Sequence, residues 1–260
     1  MKLNVDYHFH PNLPKNNRRK SEKVDKIWNA FGTFNLDAVL VTEHAYKDPA
    51  DAYFSLKDQS LKNTKIFPGV ECLTSEGIDM IVFSKKESIY DYSELLTPYN
   101  FSIDELVQFI AGNKDLNGFI THPYTPGTTS IVKIKGEEVA RENLNSLGAI
   151  EVHNSAFDNV LPYLQHLPLS KVRRMKKTSV CPEEFYKDAK INFYAGGSDA
   201  HHVHEIGSHF RIDRKKDIFH SIINNSGGEM IVQKYSLAKI PYMTSTVFME
   251  WLKKTNIKWR

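Results

Sequence analysis

Residues 192–201 read NFYAGGSDAH, and the change of character within this stretch decides the fold. Asn192–Gly196 is short and largely apolar, as expected of a buried strand, whereas Asp199 and His201 follow it two residues apart. The two glycines before Ser198 let the backbone turn closely around a site. The stretch therefore predicts a strand followed by side chains that can bind a metal or transfer a proton.

The same pattern recurs along the chain. Seven stretches have the character of strands, and His, Glu or Asp closely follows six of them. The predicted strands are Leu3–Tyr7, Ala38–Thr42, Lys65–Val70, Asp79–Phe83, Gly118–Thr121, Ala149–Val152 and Asn192–Gly196. Of the 11 histidines, six lie at these strand ends, namely His8, His10, His44, His122, His153 and His201.

Amphipathic helices are predicted between the strands. They include Ser21–Phe34 with Ser21 as its N-cap, Ala50–Leu61, and a helix opened by the capping box Ser102–Glu105. Alternating strands and helices predict parallel βα units, in which the C-terminal ends of the strands form one face. The polar residues at those ends should therefore meet. With no obvious linker or repeat, we expect a single α/β domain over residues 1–260.

Composition narrows the class of protein. The chain is 41% hydrophobic and 25% charged, and no apolar run is long enough for a membrane helix. The N-terminus lacks the features of an export signal, and Cys72 and Cys181 form no disulfide framework, so we expect a cytoplasmic protein with no membrane partner. Oligomeric state is left open.

The net charge of +3 does not by itself indicate nucleic-acid binding, but basic residues cluster locally. The clusters are Arg18–Lys20, then Lys171, Arg173, Arg174, Lys176 and Lys177, then Lys253, Lys254, Lys258 and Arg260. Such runs are typical of solvated surfaces and also permit a phosphate-bearing substrate.

The candidate chemistry is metal binding. His8 and His10 project to the same side of a strand and can reach one ion. Glu71 closes an apolar strand, where a carboxylate is costly unless it is paired or metal-bound, and it can bridge two cations. His44, His122, Asp199 and His201 complete the set. Mixed imidazole and carboxylate ligands suit Zn²⁺, Mn²⁺ or iron, and so many ligands indicate more than one ion.

Several other polar residues receive weaker predictions. Asp6 lies on the face of His8 and could orient a ligand. His166, His209 and His220 are expected at the surface, because no carboxylate motif surrounds them. Arg18, Arg19, Arg141 or Arg211 could clamp a phosphate.

Six motifs in order resemble the polymerase and histidinol phosphatase (PHP) family. They are DYHFH at Asp6–His10, TEH at Thr42–His44, GVE at Gly69–Glu71, THP at Thr121–Pro123, IEVHN at Ile150–Asn154, and GGSDAHHVHEIG at Gly196–Gly207. The resemblance covers most of the chain. It implies a distorted (β/α)₇ TIM-like barrel with a two- or three-metal site that hydrolyses phosphate esters.

Transferred by matching position, the resemblance implies three metals. His8, His10, Glu71 and Asp199 would bind the first, Glu71 and His122 the second, and His44 and His201 the third. The sequence departs from the family at three places. Pro11–Lys20 contains no His or Asp, Asp79 stands where a histidine is usual, and TEH replaces TDH. We therefore expect two tightly bound ions, with Asp79 beside Glu71 and His122, and a labile or empty third position.

These residues predict a metal-dependent phosphoesterase. Hydroxide on a bound metal would attack phosphorus in a small phosphomonoester, a nucleotide or the end of a nucleic acid. His153, where the family more often has an aromatic residue, is a candidate proton donor to the leaving group or a hydrogen-bond partner of a metal ligand, and an equal alternative is a structural role. Two other functions remain open: a metal-dependent C–N bond hydrolase, and a non-catalytic, metal-stabilised binding module.

Overall fold

One sheet of nine strands organises the part of the chain that the structure, a computed structural model, describes: residues 1–59, 63–125, 129–158, 176–177 and 179–233. The strands are β1 (Lys2–Phe9), β2 (Ala38–Val41), β3 (Lys65–Leu73), β4 (Asp79–Ser84), β5 (Leu116–Ile120), β6 (Ala149–Asn154), β7 (Phe193–Gly197), β8 (His209–Asp213) and β9 (Glu229–Ile231). Their order across the sheet is β7-β6-β5-β4-β3-β2-β1-β8-β9.

The sheet curls into a nearly closed barrel because the chain leaving β7 returns to β1. The amide of Asp199 donates to the carbonyl of His8 at 2.8 Å, and the amide of His10 donates to the carbonyl of Ala200 at 3.0 Å. We call this junction the seam, formed by residues 8–10 on one side and 199–200 on the other. The predicted distorted α/β barrel is thereby confirmed.

The direction of β4 differs from the prediction of uniformly parallel units. β4 pairs antiparallel with both β3 and β5, and Leu73 lies opposite Asp79. The connection turns tightly at Gly77, whose φ of 87° suits glycine, and is too short for a parallel crossover. Because β4 is reversed, its first residue, Asp79, lies at the edge where β3 ends.

The helices are α1 (Asn17–Thr33), α2 (Pro49–Lys57), α3 (Ser93–Leu96), α4 (Ile103–Gly112), α5 (Ile131–Lys135), α6 (Glu137–Leu147), α7 (Glu183–Tyr186) and α8 (Ile218–Ile223). The predicted capping box is confirmed, since Ser102 and Glu105 cap α4 reciprocally. The predicted N-cap of α1 is wrong. Asn16 caps this helix by accepting from the amide of Arg19 at 3.1 Å, which places Ser21 inside it.

The core explains how β1 aims its histidines. Tyr7 packs with Phe119 and Phe210, whereas Phe9, two residues later, packs with Phe31 of α1. The pairing of β1 with β2 shifts register between Asp6 and Phe9, so the side chains change direction there. This irregularity turns the end of β1 at the point where the site begins.

The predictions for the remaining histidines are confirmed in part. No helix of the described residues is long and apolar enough to cross a membrane. His209 is buried, so its predicted surface position is wrong, whereas His220 is exposed as expected. His166 and most of the second and third basic clusters lie outside the described residues.

Candidate metal centre

The C-terminal ends of the strands gather seven of the eight predicted ligands. Among the described residues, three groups have potential ligand atoms within 4.8 Å of one another: His8, Glu71 and His122; His8, His10 and Asp199; and His10, His44 and His201. Because His8 and His10 each belong to two groups, the three form one continuous cluster.

The seam carries the group of His8, His10 and Asp199. The Nε2 atoms of the two histidines are 2.9 Å apart, and Asp199 Oδ1 lies 3.4 Å from His8 Nε2 and 3.3 Å from His10 Nε2. Both imidazoles are fully buried. The contacts that close the barrel therefore also bring these three side chains together.

Glu71 lies between the groups and presents a different oxygen to each side. Oε1 is 3.5 Å from His8 Nε2 and 3.4 Å from His122 Nε2. Oε2 is 3.8 Å from His10 Nε2 and also contacts His44 Nδ1. This is the geometry a carboxylate needs in order to bridge two cations.

The third group is made of imidazoles alone. His44 Nε2 lies 3.2 Å from His201 Nε2, and the His10 ring stacks on both, with centroids 4.3 and 4.4 Å away. Burial holds the pKa of His44 well below its ordinary value, against the opposing charge of Glu71. His44 is thus held neutral, the form in which an imidazole binds metal.

The charge of the cluster favours cations. Burial lowers the pKa of both His8 and His10, but nearby carboxylates outweigh it. Asp199 and Glu151 raise the pKa of His8 well above its ordinary value, and Asp199 with Glu43 raises that of His10 to about 9. The carboxylates therefore stabilise positive charge at the position where a bound metal would supply it.

The donor set fits divalent metals on structural grounds. His8 Nδ1 lies 3.0 Å from a carboxylate oxygen of Glu151, which can only accept, so neutral His8 has a bare Nε2 facing His10. In addition, the buried Nδ1 of His122 has no hydrogen-bond partner among the described residues. Converging imidazole nitrogens and buried carboxylates are what Zn²⁺, Mn²⁺ and iron bind.

One candidate ligand, His122, sits on strained backbone. Its φ of 24° falls short of the left-handed region, whereas Asp199, with φ 49°, is close to that region, which Asp adopts more readily than most residues. Such strain persists only where the surroundings hold it, and it is concentrated at functional sites. Pro123 keeps the chain from continuing as a strand beyond His122, and β5 already ends at Ile120. The φ of His122 was not predictable from sequence.

Sequence reasoning missed two buried carboxylates, Glu151 and Glu43. Glu151, in β6, contacts His8 and accepts from the amide of His122 at 2.7 Å. Glu43 Oε1 lies 3.7 Å from His10 Nδ1 and 3.3 Å from the ammonium of Lys47. A Glu inside an apolar strand was the available signal for Glu151, while Glu43 was noted only as part of its motif.

Asp6 holds the turn after β7, and among the described residues its hydrogen bonds go to backbone amides and a hydroxyl; its predicted role in orienting a ligand stays a prediction. Its Oδ1 accepts from the amides of Ser198 at 2.9 Å and His8 at 3.1 Å, and its Oδ2 accepts from the Ser198 hydroxyl at 2.5 Å. Burial raises the pKa of Asp6 to about 7, against these hydrogen bonds. Gly197 makes this approach possible, because a Cβ there would lie 2.6 Å from His8 Cβ.

Asp79 and His153 stand apart from the three groups. Asp79 is buried at the start of β4, and its carbonyl accepts from Thr121 at 2.8 Å, but none of the groups found among the described residues includes its carboxylate. His153 is in β6, and its Nε2 lies 2.7 Å from Asp158 Oδ2. The roles of both remain predictions.

Three of the four candidate phosphate clamps have side-chain partners away from the site, as far as the structure describes them. Arg211 pairs with Asn4 and Glu229, and Asn4 lies toward the opposite end of β1 from the histidines. Arg141 donates to the carbonyl of Glu184, and Arg18 pairs with Glu22 on the exposed face of α1. For Arg19 the structure gives only the backbone contact with Asn16.

The fold has relatives among solved structures. No protein-family model and no curated protein matches the sequence. PsfC from Pseudomonas syringae has a TM-score of 0.61 and 17% identity, covering 97% of this chain and 98% of that one. At that identity the likeness shows the fold alone, and it extends over nearly the whole of both chains.

Two more distant structures are similar over smaller shares of their chains. Endonuclease Q, in complex with a 27-mer duplex carrying an abasic lesion at the active site, has a TM-score of 0.49 and 14% identity, covering 85% of this chain and 55% of that one. A protein proposed to be a metal-dependent phosphoesterase, from Bifidobacterium adolescentis, has a TM-score of 0.43 and 10% identity, covering 76% and 87%. These two likenesses are too remote to carry an argument about function.

Proposed function

We propose that the chain is a metal-dependent phosphoesterase acting on a small phosphomonoester, a nucleotide or the end of a nucleic acid. The observation that carries the proposal is the convergence of seven potential ligands around Glu71, whose two oxygens face different groups. When bound, divalent cations supply an activated water and neutralise the charge that develops at phosphorus.

The chain's own residues divide the remaining work. Two groups include a carboxylate, and each would hold one ion tightly. They are His8 with His10 and Asp199, and His8 with Glu71 and His122. The third group has no carboxylate of its own and can only share Oε2 of Glu71, so it would bind an ion more weakly than the other two. Mn²⁺, Zn²⁺ and iron all suit these donors.

His153 is the proposed proton donor to the leaving group. Asp158 accepts from its ring at 2.7 Å and would hold the imidazole in one orientation. The His153 side chain is 16% exposed, as is that of His201, whereas His8, His10 and Glu71 are buried. A donor that must reach an alkoxide on the substrate needs this accessibility.

The test is a screen of phosphate esters with the metal-free full chain, with and without added Mn²⁺. We expect hydrolysis that requires metal, is lost with a chelator, and falls at least about 100-fold in Glu71→Gln. Glu76→Gln, in the turn between β3 and β4, is the matched control. Hydrolysis of amides or cyclic C–N substrates instead would favour a C–N hydrolase, and metal binding without any hydrolysis would favour a binding module.

A further inference from the structure

A single buried carboxylate contacts ligands from separate parts of the site. Glu151 is 1% exposed, and its Oε1 lies 3.0 Å from His8 Nδ1 while its Oε2 accepts from the amide of His122 at 2.7 Å. The Asn154 amide donates to both Glu151 oxygens, at 3.3 and 3.2 Å, and to Asp199 Oδ2 at 3.2 Å. Residues from the ends of β1, β5 and β7 are thus tied to β6.

The first consequence concerns the ring of His8. A carboxylate accepts and does not donate, so Glu151 keeps the proton of neutral His8 on Nδ1 and leaves Nε2 free. His8 Nε2 is the atom that faces Glu71, Asp199 and His10. Loss of this acceptor would let the proton move to Nε2, which would block the atom that binds metal.

The second consequence concerns the backbone of His122. Its φ of 24° is unfavourable for histidine, and the hydrogen bond from its amide to Glu151 holds the residue there. The orientation of the His122 ring toward Glu71 depends on that backbone. Glu151 therefore supports the position of one ligand and the protonation of another.

We propose that Glu151 is a positioning residue that joins two candidate metal groups into one binding unit. His8 belongs to both the group with Glu71 and His122 and the group with His10 and Asp199. Glu151 contacts His8 and His122 of the first of these groups. In the second group it contacts His8 directly and Asp199 indirectly, because Asn154 donates to both carboxylates. Its loss should weaken both groups together. The inference rests on the metal-binding part of the proposed function and not on the identity of the substrate.

The test is a calorimetric titration of the metal-free full chain with Mn²⁺, without any substrate. We expect Glu151→Gln to lower the affinity of both tight sites by about 10- to 100-fold, because the amide can donate to Nδ1 and reverse the His8 tautomer. Glu76→Gln, whose carboxylate pairs with Lys135 outside the site, should bind as wild type. Weakening of one site alone, or wild-type affinity in a folded Glu151→Gln protein, would overturn the inference.

A second measurement needs no variant and covers the case in which Glu151→Gln does not fold. Nitrogen-15 spectra of the Zn²⁺-loaded wild type should show His8 protonated at Nδ1 and metal-bound at Nε2. A metal on Nδ1 of His8 would contradict the inference. Cooperative metal binding in a chain that hydrolyses no phosphate ester would leave the inference standing and remove the proposed function.

Discussion

Asp79 is the residue at which the sequence and the geometry diverge most. The resemblance assigns it to the tight pair of ions, whereas its carboxylate belongs to none of the ligand groups found among the described residues. It is nevertheless buried at the edge of the sheet that carries Glu71. Movement of this side chain toward a bound ion would reconcile the two observations.

We predict that Asp79→Ala lowers both metal occupancy and the rate of hydrolysis. Once moved beside Glu71 and His122, this carboxylate would add negative charge and an oxygen ligand, so its loss should reduce Mn²⁺ affinity about 10-fold or more. Elemental analysis after dialysis measures occupancy, and Asp104→Ala on the surface of α4 is the control. Full occupancy in Asp79→Ala would remove this residue from the metal site.

Individual candidate ligands could be identified from sequence where spacing constrained them. His8 with His10, and Asp199 with His201, stand two residues apart at strand ends, a spacing that can be recognised without a structure. Glu151 was not recognised, because its contacts are with His8 and His122, which are distant in sequence. A pattern read along one chain cannot show which strands will be neighbours.

At the scale of elements, β4 shows what helix and strand patterns leave undetermined. The stretch Asp79–Phe83 was predicted as a strand, and its end differs from that of the observed β4 by one residue. The direction of β4 could not be predicted, because apolar composition is the same in a parallel and an antiparallel strand. The deciding feature is the short turn at Gly77, which cannot contain a crossover helix.

Gly197, the last residue of β7, packs closely against His8 of β1. We predict that Gly197→Ala destabilises the protein. An added methyl would meet the backbone nitrogen and Cβ of His8 at 2.6 Å and Asp6 Oδ1 at 3.0 Å, so β7 would have to move away. Overpacking of this kind costs about 1–3 kcal/mol. Thermal unfolding should show a lower Tm, and metal affinity should fall with it.

The matched control is Gly112→Ala, at the end of α4, where an added Cβ meets no atom within 4 Å. It should leave the Tm and the metal affinity close to those of wild type. A Gly197→Ala protein as stable as wild type would show that β7 can separate from β1 without cost.

The strand β8 contains a buried histidine, and we predict that it makes stability fall in acid. Burial, with help from Arg211, lowers the pKa of His209 below its ordinary value of 6.5. Below that pH the unfolded chain gains a proton that the folded chain does not, so this contribution is present above about pH 6.5 and is lost as the pH falls toward the folded pKa. His209→Asn should flatten the decline, since its amide can still donate to the carbonyl of Gly207.

The measurement is urea unfolding at several pH values between about 5 and 8. Wild type and His209→Asn should converge in slope above pH 7 and diverge below about pH 6. His220→Asn is the control, because His220 is exposed on α8. Parallel curves for wild type and His209→Asn over the whole range would contradict the prediction.

For the whole molecule, the barrel and the meeting place of the candidate ligands could be predicted, and the closure of the barrel could not. Alternating strands and helices imply that strand ends share one face, and seven candidate ligands come together there. β8 and β9 were missed, since these short strands join the sheet beside β1 by antiparallel pairing from a distant part of the chain. Only the assembled sheet shows that residues 199–200 complete it.

The seam has a thermodynamic consequence for the molecule as a whole. The backbone hydrogen bonds that close the barrel join His8 to Asp199 and His10 to Ala200, and three of these residues, His8, His10 and Asp199, also form a candidate metal group. Any ion bound there cross-links the first and seventh strands, so occupancy and closure are linked equilibria. Chelation should therefore speed hydrogen–deuterium exchange of the Asp199 and His10 amides before it affects β2 and β3. Equal protection of these amides in the metal-bound and metal-free protein would show that the two equilibria are independent. If protection differs, the bound ion stabilises the closed barrel, and the rate of local opening at the seam shows whether the site holds metal.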